Sequence, residues 1–267
     1  MFSVIPEHKC KGLSILTTRS RTQPSSEAIE RFAQGIQSVD KLDPWVKILV
    51  YGDNGTGKTR FAASAPKVLI IDVREKGTRS TVGSRAHKRE VSTFDEINLA
   101  YWYLKSGDHP YKTVAIDTVT MLHAAAMDKV MEEAEDRDPA REKKQPSQPI
   151  YGRAGKLVEA MCFAFRNLPM HVVFLAQERR VKDDDGSVTE ITADLPEGCR
   201  AALCDIVGIT GNARRRKVNG KWVDELFTGD SRLYKTDECT NELKPITRNP
   251  TMPYIIRAWN RRLTDGN

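Results

Sequence analysis

Gly52-Asp53-Asn54-Gly55-Thr56-Gly57-Lys58-Thr59 has the spacing G-x-x-x-x-G-K-[ST] of a phosphate-binding loop. Its surroundings suit that chemistry. Val-Lys-Ile-Leu-Val-Tyr at 46–51 reads as a buried strand, and residues 58–64 read as the start of a helix. The glycines let successive backbone N–H groups turn inward at a helix N-terminus, where they can cradle phosphate oxygens. Lys58 then reaches the β/γ-phosphates, and the Thr59 hydroxyl can ligate Mg²⁺. Gly52, Asp53, Asn54, Gly55, Thr56, Gly57, Lys58, Thr59 and Arg60 are therefore the candidate nucleotide-binding residues, with ATP and Mg²⁺ as the expected cofactors.

Apolar runs alternate with helical segments on either side of the loop, which is the pattern of an α/β fold with a mostly parallel sheet. The runs are 46–51, 68–72, 113–117 and 171–176, short and rich in β-branched residues, as suits strands covered on both faces. Helices are expected at 95–105, 119–135 and 152–167, with a charged, Pro-rich loop at 136–149. Beyond Ala176, Asp183-Asp184-Asp185-Gly186 reads as the turn of a hairpin spanning 181–192. Strands are expected at 206–210, 221–228, 231–235 and 254–257, the first two joined around Asn219-Gly220. The C-terminal third is thus an antiparallel β extension of the same sheet. Residues 1–44 form an N-terminal arm and a helix suited to oligomerisation, 45–262 the core, and 263–267 a tail. Within the arm, Ser26 can cap a helix carrying Ala28, Ile29, Phe32, Ala33 and Ile36 at 3–4 spacing.

Phosphoryl transfer also needs a carboxylate that positions the metal and a group that orients the attacking water. Asp117, ending the third run, is the expected partner of Thr59 at Mg²⁺, through water. Thr118 follows it, so an Asp-Glu pair is absent and the second carboxylate must come from elsewhere. Asp72-Val73-Arg74-Glu75 offers Glu75, with Asp72 as competitor. Gln177, at the tip of the fourth run, can sense a γ-phosphate at one end and an adjoining loop at the other. Lys58, Glu75, Asp117 and Gln177 are the candidate catalytic set.

A charged content of 29% and hydrophobic content of 39% describe a globular chain, and no run approaches the roughly 18 apolar residues of a membrane span. No basic-then-apolar leader is visible, so a cytoplasmic setting is expected. The cysteines (10, 162, 199, 204, 239) form no C-x-x-C pair, which argues against a disulfide framework or a structural zinc site. The net charge of +6 is compatible with a polyanionic partner.

Taken in order, these features resemble RecA, and more narrowly the phage-encoded RecA-like ATPases that act as single-strand annealing proteins. The residues carrying the resemblance are 52–59, Ile71-Asp72 with Glu75 and Gly77, Ile116-Asp117-Thr118, Tyr151-Gly152, 175–179 and Cys204-Asp205-Ile206-Val207-Gly208, within about 46–260. The resemblance implies a RecA-like P-loop NTPase core, single-stranded DNA as ligand and self-assembly into a ring or filament. It further implies a single-strand-binding protein as a partner and the cytoplasm of a bacterial host. The spacing between Asp72 and Glu75 is wider than the Asp-x-Glu of RecA, which keeps both in contention. With no separate C-terminal DNA-binding domain apparent, DNA contact falls to loops 136–151 and 179–200. There Lys143, Lys144, Arg153, Arg179, Arg180 and Lys182 can neutralise phosphates and Tyr151 can stack a base. Arg214, Arg215, Arg216 and Lys217 are candidates for acting in trans on a neighbour's phosphates. A nucleotide-gated helicase loader or replication accessory ATPase is the chief alternative. A small-molecule or nucleotide kinase is a third, weakened by the lack of an evident acceptor lid.

Overall fold

The protein, seen in a computed structural model, is defined at residues 25–34, 36, 44–75, 78–137 and 146–264. It divides into two units, Met1–Lys41 and Leu42–Asn267. In the first unit, the helix α1 (Ser26–Gln34) has Ser26, expected as its cap, as its first residue, and the Ser25 carbonyl before it accepts from the Ile29 N–H at 3.1 Å. The helix carries an Arg31–Glu27 ion pair at 2.9 Å.

The second unit is built on one sheet. Its parallel centre consists of β1 (Lys47–Gly52), β2 (Val68–Val73), β3 (His87–Val91), β4 (Thr113–Asp117), β5 (His171–Lys182) and β7 (Ile209–Val218). Antiparallel strands β6 (Val188–Ala193), β8 (Lys221–Phe227), β9 (Asp237–Glu238) and β10 (Ile246–Arg248) extend it. The order is β10-β8-β7-β1-β5-β4-β2-β3, with β6 on β5 and β9 on β7. The phosphate-loop strand β1 is therefore separated from the acidic strand β4 by β5 alone, which brings the three strand ends to one edge.

Both faces are covered. The helices α3 (Phe94–Lys105), α4 (Val119–Arg137), α5 (Gln148–Arg166) and α6 (Glu197–Ile206) pack on the face carrying Leu49, Tyr51, Ile71, Ile116 and Phe174. On the opposite face, α2 (Lys58–Ala63) and α7 (Met252–Thr264) cover Ile48, Val50, Ile70 and Leu175. That two-sided burial is why the central strands read as unbroken apolar runs. Lys47 is the exception within β1, and its buried ammonium donates to the carbonyls of Leu168 and Met170 at 2.7 and 2.6 Å.

Local sequence sets the boundaries. Thr93 and Glu96 form a capping box that starts α3. Asn219 and Gly220, both at positive φ (49° and 77°), make the two-residue turn joining β7 to β8. The hairpin at 181–192 is present, with the Gly186 N–H donating to Asp183.

Several expectations are corrected. Residues 254–257 are not a strand but part of α7, whose Met252, Ile255 and Ala258 are buried at helical spacing. Residues 231–235 form no strand, only a bridge between Ile191 and Tyr234. The segment 206–210 is split between the end of α6 and the start of β7. Strand β3 and helix α6 went unforeseen.

Candidate functional site

The phosphate loop joins β1 to α2 as its sequence requires. Gly55 and Gly57 adopt φ of 77° and 89°, values open to glycine and strained for other residues. Gly52 is required for a different reason: a Cβ there would lie 2.2 Å from the Ala213 carbonyl on the neighbouring β7. Lys58 folds back over the loop and donates to the Gly52 and Asp53 carbonyls at 2.6 and 2.9 Å, with Gln177 Oε1 at 3.4 Å. Burial pulls its ammonium below the usual lysine range, against the pull of Asp117, Glu75 and Asp53.

The expected metal pair is in contact: Thr59 Oγ1 donates to Asp117 Oδ2 at 2.7 Å. Burial pushes the Asp117 carboxyl up to about 6, opposed by the Thr59 hydroxyl and assisted by the Asp72 and Glu75 charges. One hydroxyl and one carboxylate suit Mg²⁺, which keeps several waters and relies on phosphate oxygens rather than an all-protein cage. Among the described residues, no group of three or more His, Cys, Asp and Glu is placed to hold a metal.

Glu75, not Asp72, faces this chemistry. It lines a cleft of about 290 Å³ together with Lys58, Thr59, Asp117, Thr118 and Gln177. Its Oε1 accepts from Thr118 Oγ1 and from Gln177 Nε2, each at 3.1 Å. Asp72 is buried, accepts the Glu75 N–H at 3.1 Å and approaches Lys88 at 3.6 Å. What aims Glu75 is Arg74, in the left-handed region at φ 61°. Its side chain is tied to the Ser92 carbonyl and to Asp128, both at 2.6 Å. Gln177 completes a bridge: its two amide ends touch Glu75 and Lys58, and its backbone N–H donates to Thr120 Oγ1 at 3.0 Å.

Residues 45–243 match the AAA domain family. The chain belongs to this AAA-domain family. A KaiC-like protein from the hyperthermophilic archaeon Pyrococcus horikoshii OT3 is similar in structure, with a TM-score of 0.43 and 11% identity over 77% of this chain and 89% of that one. No curated protein matches the sequence. The AAA domain here is an α/β P-loop ATPase core, with β5 between the loop strand and the acidic strand.

Outside the cleft, the AAA domain distributes the basic residues more widely than the sequence suggested. Lys143 and Lys144 lie outside the described residues. Tyr151, expected in a loop, lies in the first turn of α5; Arg153 follows it there, within the expected helix 152–167, and is paired with Glu133 of α4. Arg179, Arg180 and Lys182 sit on the projecting part of β5. Arg179 is exposed, whereas Arg180 pairs with Glu178 at 2.9 Å and with Asp53 of the phosphate loop at 2.7 Å. On β7, Arg214 and Arg216 turn toward the buried Glu225 at 3.2 and 3.8 Å, and Lys217 stands opposite Trp222. Arg215 turns to the other side and lines the phosphate cleft of its own chain. Arg60 lines it too, and donates to Asp224 at 2.9 Å. Sequence reasoning missed Thr118, Arg74 and Asp224. Thr118 carried a signal, being the residue directly after the acidic strand end.

Proposed function

We propose that this AAA-domain protein binds and hydrolyses ATP with Mg²⁺, assembles with other copies on single-stranded DNA, and promotes annealing or homologous recombination. Lys58 and the loop N–H groups hold the phosphates, and Thr59 with Asp117 holds the metal, which when bound neutralises charge on the transferring phosphoryl group. Glu75 orients the attacking water and accepts its proton, a role supported by its place in the cleft and by the two donors that fix its Oε1.

One observation carries the DNA reading: β5 runs unbroken from the cleft into an exposed hairpin, whose β5 strand bears Arg179, Arg180 and Lys182 ahead of the acidic turn Asp183-Asp184-Asp185. Gln177 contacts Lys58 and Glu75, and three residues later Arg180 contacts both the hairpin's Glu178 and the loop's Asp53. A change at the γ-phosphate is thereby linked to a surface bearing Arg179, Arg180 and Lys182. ATPase rate with and without single-stranded DNA, paired with particle size on DNA, tests this. Stimulation with large assemblies is expected. A rate and size indifferent to DNA contradict it.

A loader or accessory ATPase gated by protein contacts is the second reading. It is favoured by the exposed apolar residues of α3, where Leu99, Trp102 and Tyr103 are 67%, 54% and 47% exposed. Stimulation by a protein partner alone, without DNA, would select it.

A further inference from the structure

The β7–β8 hairpin arches back over the phosphate loop and brings a carboxylate to it. Asp224 Oδ2 lies 2.8 Å from where a Cβ on Gly57 would sit. Gly57 is the last glycine of the loop whose inward-turned N–H groups gather negative charge. Asp224 is mostly buried there, its side chain 17% exposed, and it is held by cations on two sides. Arg60 Nη1 donates to Oδ2 at 2.9 Å, and Arg215 Nε approaches Oδ1 at 3.3 Å. Strand alternation decides which basic residue of β7 is involved: Arg214 and Arg216 face Glu225, leaving Arg215 on the side of the loop. Arg215 lines the same cleft as Lys58, Glu75, Asp117 and Gln177.

We propose that Asp224 stands in for a phosphate anion and that Arg215 is a phosphate-binding arginine acting in cis. Without nucleotide, Asp224 holds Arg215 at the mouth of the cleft. With a nucleoside triphosphate in place, the terminal phosphate takes Arg215 from Asp224. A guanidinium prefers the phosphate, which carries more charge and more acceptor oxygens in bidentate geometry than one shared carboxylate. The exchange is permitted because Arg215 is 43% exposed, and apart from Asp224 its guanidinium meets, among the described residues, only the exposed Trp222 ring, in a loose contact 5.9 Å from the centroid. Asp224 is not stranded by it, since Arg60 remains as its partner; a buried carboxylate left without any cation would oppose the change. A diphosphate lacks the group that competes for Arg215 and leaves the pair intact. The device therefore distinguishes ATP from ADP within one chain, whereas a trans-acting arginine would sense a neighbour's nucleotide. The proposal rests on the ATP-binding reading above.

Calorimetric binding of a non-hydrolysable ATP analogue and of ADP to the full chain tests it. Arg215→Ala should weaken the analogue about tenfold, the scale of one charge-assisted hydrogen bond, and leave ADP affinity within about twofold. Asp224→Asn, close to isosteric, should tighten the analogue severalfold relative to ADP by freeing Arg215 and removing a competing anion. Retained ADP binding shows that each variant is folded. Adding Lys58→Ala protein, which supplies an intact Arg215 but no phosphate grip, should not restore Arg215→Ala. Restoration in that mixture overturns the cis assignment. Equal losses for the analogue and ADP reduce Arg215 to a structural role, and unchanged discrimination in Asp224→Asn overturns the exchange. Absence of nucleotide binding to the wild-type protein, with Lys58→Ala no different, would instead overturn the ATP-binding reading and the proposal with it.

Discussion

Glu75 illustrates how much of a site depends on residues that never touch substrate. Its carboxylate is aimed by the left-handed backbone of Arg74 and fixed by Thr118 and Gln177. Glu75→Gln keeps the size and removes the charge, so hydrolysis should fall at least about a hundredfold, the usual scale for removal of a general base. Nucleotide binding should persist, whereas Lys58→Ala, which deletes the charge that grips the phosphates, should abolish tight binding by calorimetry. Wild-type turnover in Glu75→Gln would move the role to another carboxylate. Asp117 carries a pH signature. Its folded carboxyl, raised by burial from 3.8 to about 6, holds a proton more firmly than the unfolded chain does. Its contribution to stability is therefore complete below the unfolded value and is lost as pH rises through about 6. In chelator, urea midpoints of Asp117→Asn should change less than wild type between about pH 4 and 6. Identical pH dependence of the two proteins would contradict the burial of this group. At this scale the sequence revealed the groups that carry spacing rules: the loop, Asp117 as a strand end, Gln177 as another. It could not choose between Glu75 and Asp72, because that choice depends on one backbone angle at Arg74 and on Lys88 drawing Asp72 aside.

Among the elements, the β5–β6 hairpin bears the DNA reading. If it tracks a phosphate backbone, affinity for single-stranded DNA should fall steeply with salt as counterions are released, and should be indifferent to base sequence. Each phosphate neutralised on a single strand adds about 0.7 to the slope of log affinity against log salt. Arg179→Ala with Lys182→Ala should therefore flatten that slope by roughly 1.4 units. Nucleotide affinity should be unchanged. Arg180→Ala should alter both, because that guanidinium also holds Asp53 of the phosphate loop. A slope identical to wild type in the double variant would leave the hairpin as a solvated surface. Elements were legible where burial imposed a pattern. Strands β1, β2, β4 and the first half of β5 lie between two layers of helices, and their apolar runs say so. Strand β3 was not legible: as His-Lys-Arg-Glu-Val at the sheet edge, it is exposed along most of its length and shows no alternation. Helix α7 reads as a strand because Tyr254-Ile255-Ile256-Arg257 resembles a short β-branched run, whereas the burial of Met252, Ile255 and Ala258 follows a helical period.

For the whole molecule, the phosphate loop and the β5–β6 hairpin lie at the same strand edge. The order β4-β5-β1 sets Asp117, Gln177 and the phosphate loop side by side, and β5 continues past them into the hairpin that carries Arg179 and Lys182. No described helix is long and apolar enough to cross a membrane. If the two sites share one equilibrium, ATP must strengthen DNA binding and DNA must strengthen ATP binding by the same factor. The decisive measurement is the affinity for single-stranded DNA of one fixed length and salt, in the presence of a non-hydrolysable ATP analogue, of ADP and of no nucleotide. A coupling of about 1–3 kcal/mol, within the common range for linked sites, gives DNA binding roughly five- to 150-fold tighter with the analogue than with ADP or no nucleotide. Equal affinity in all three states would contradict nucleotide-controlled DNA binding and leave only a phosphate-binding AAA domain.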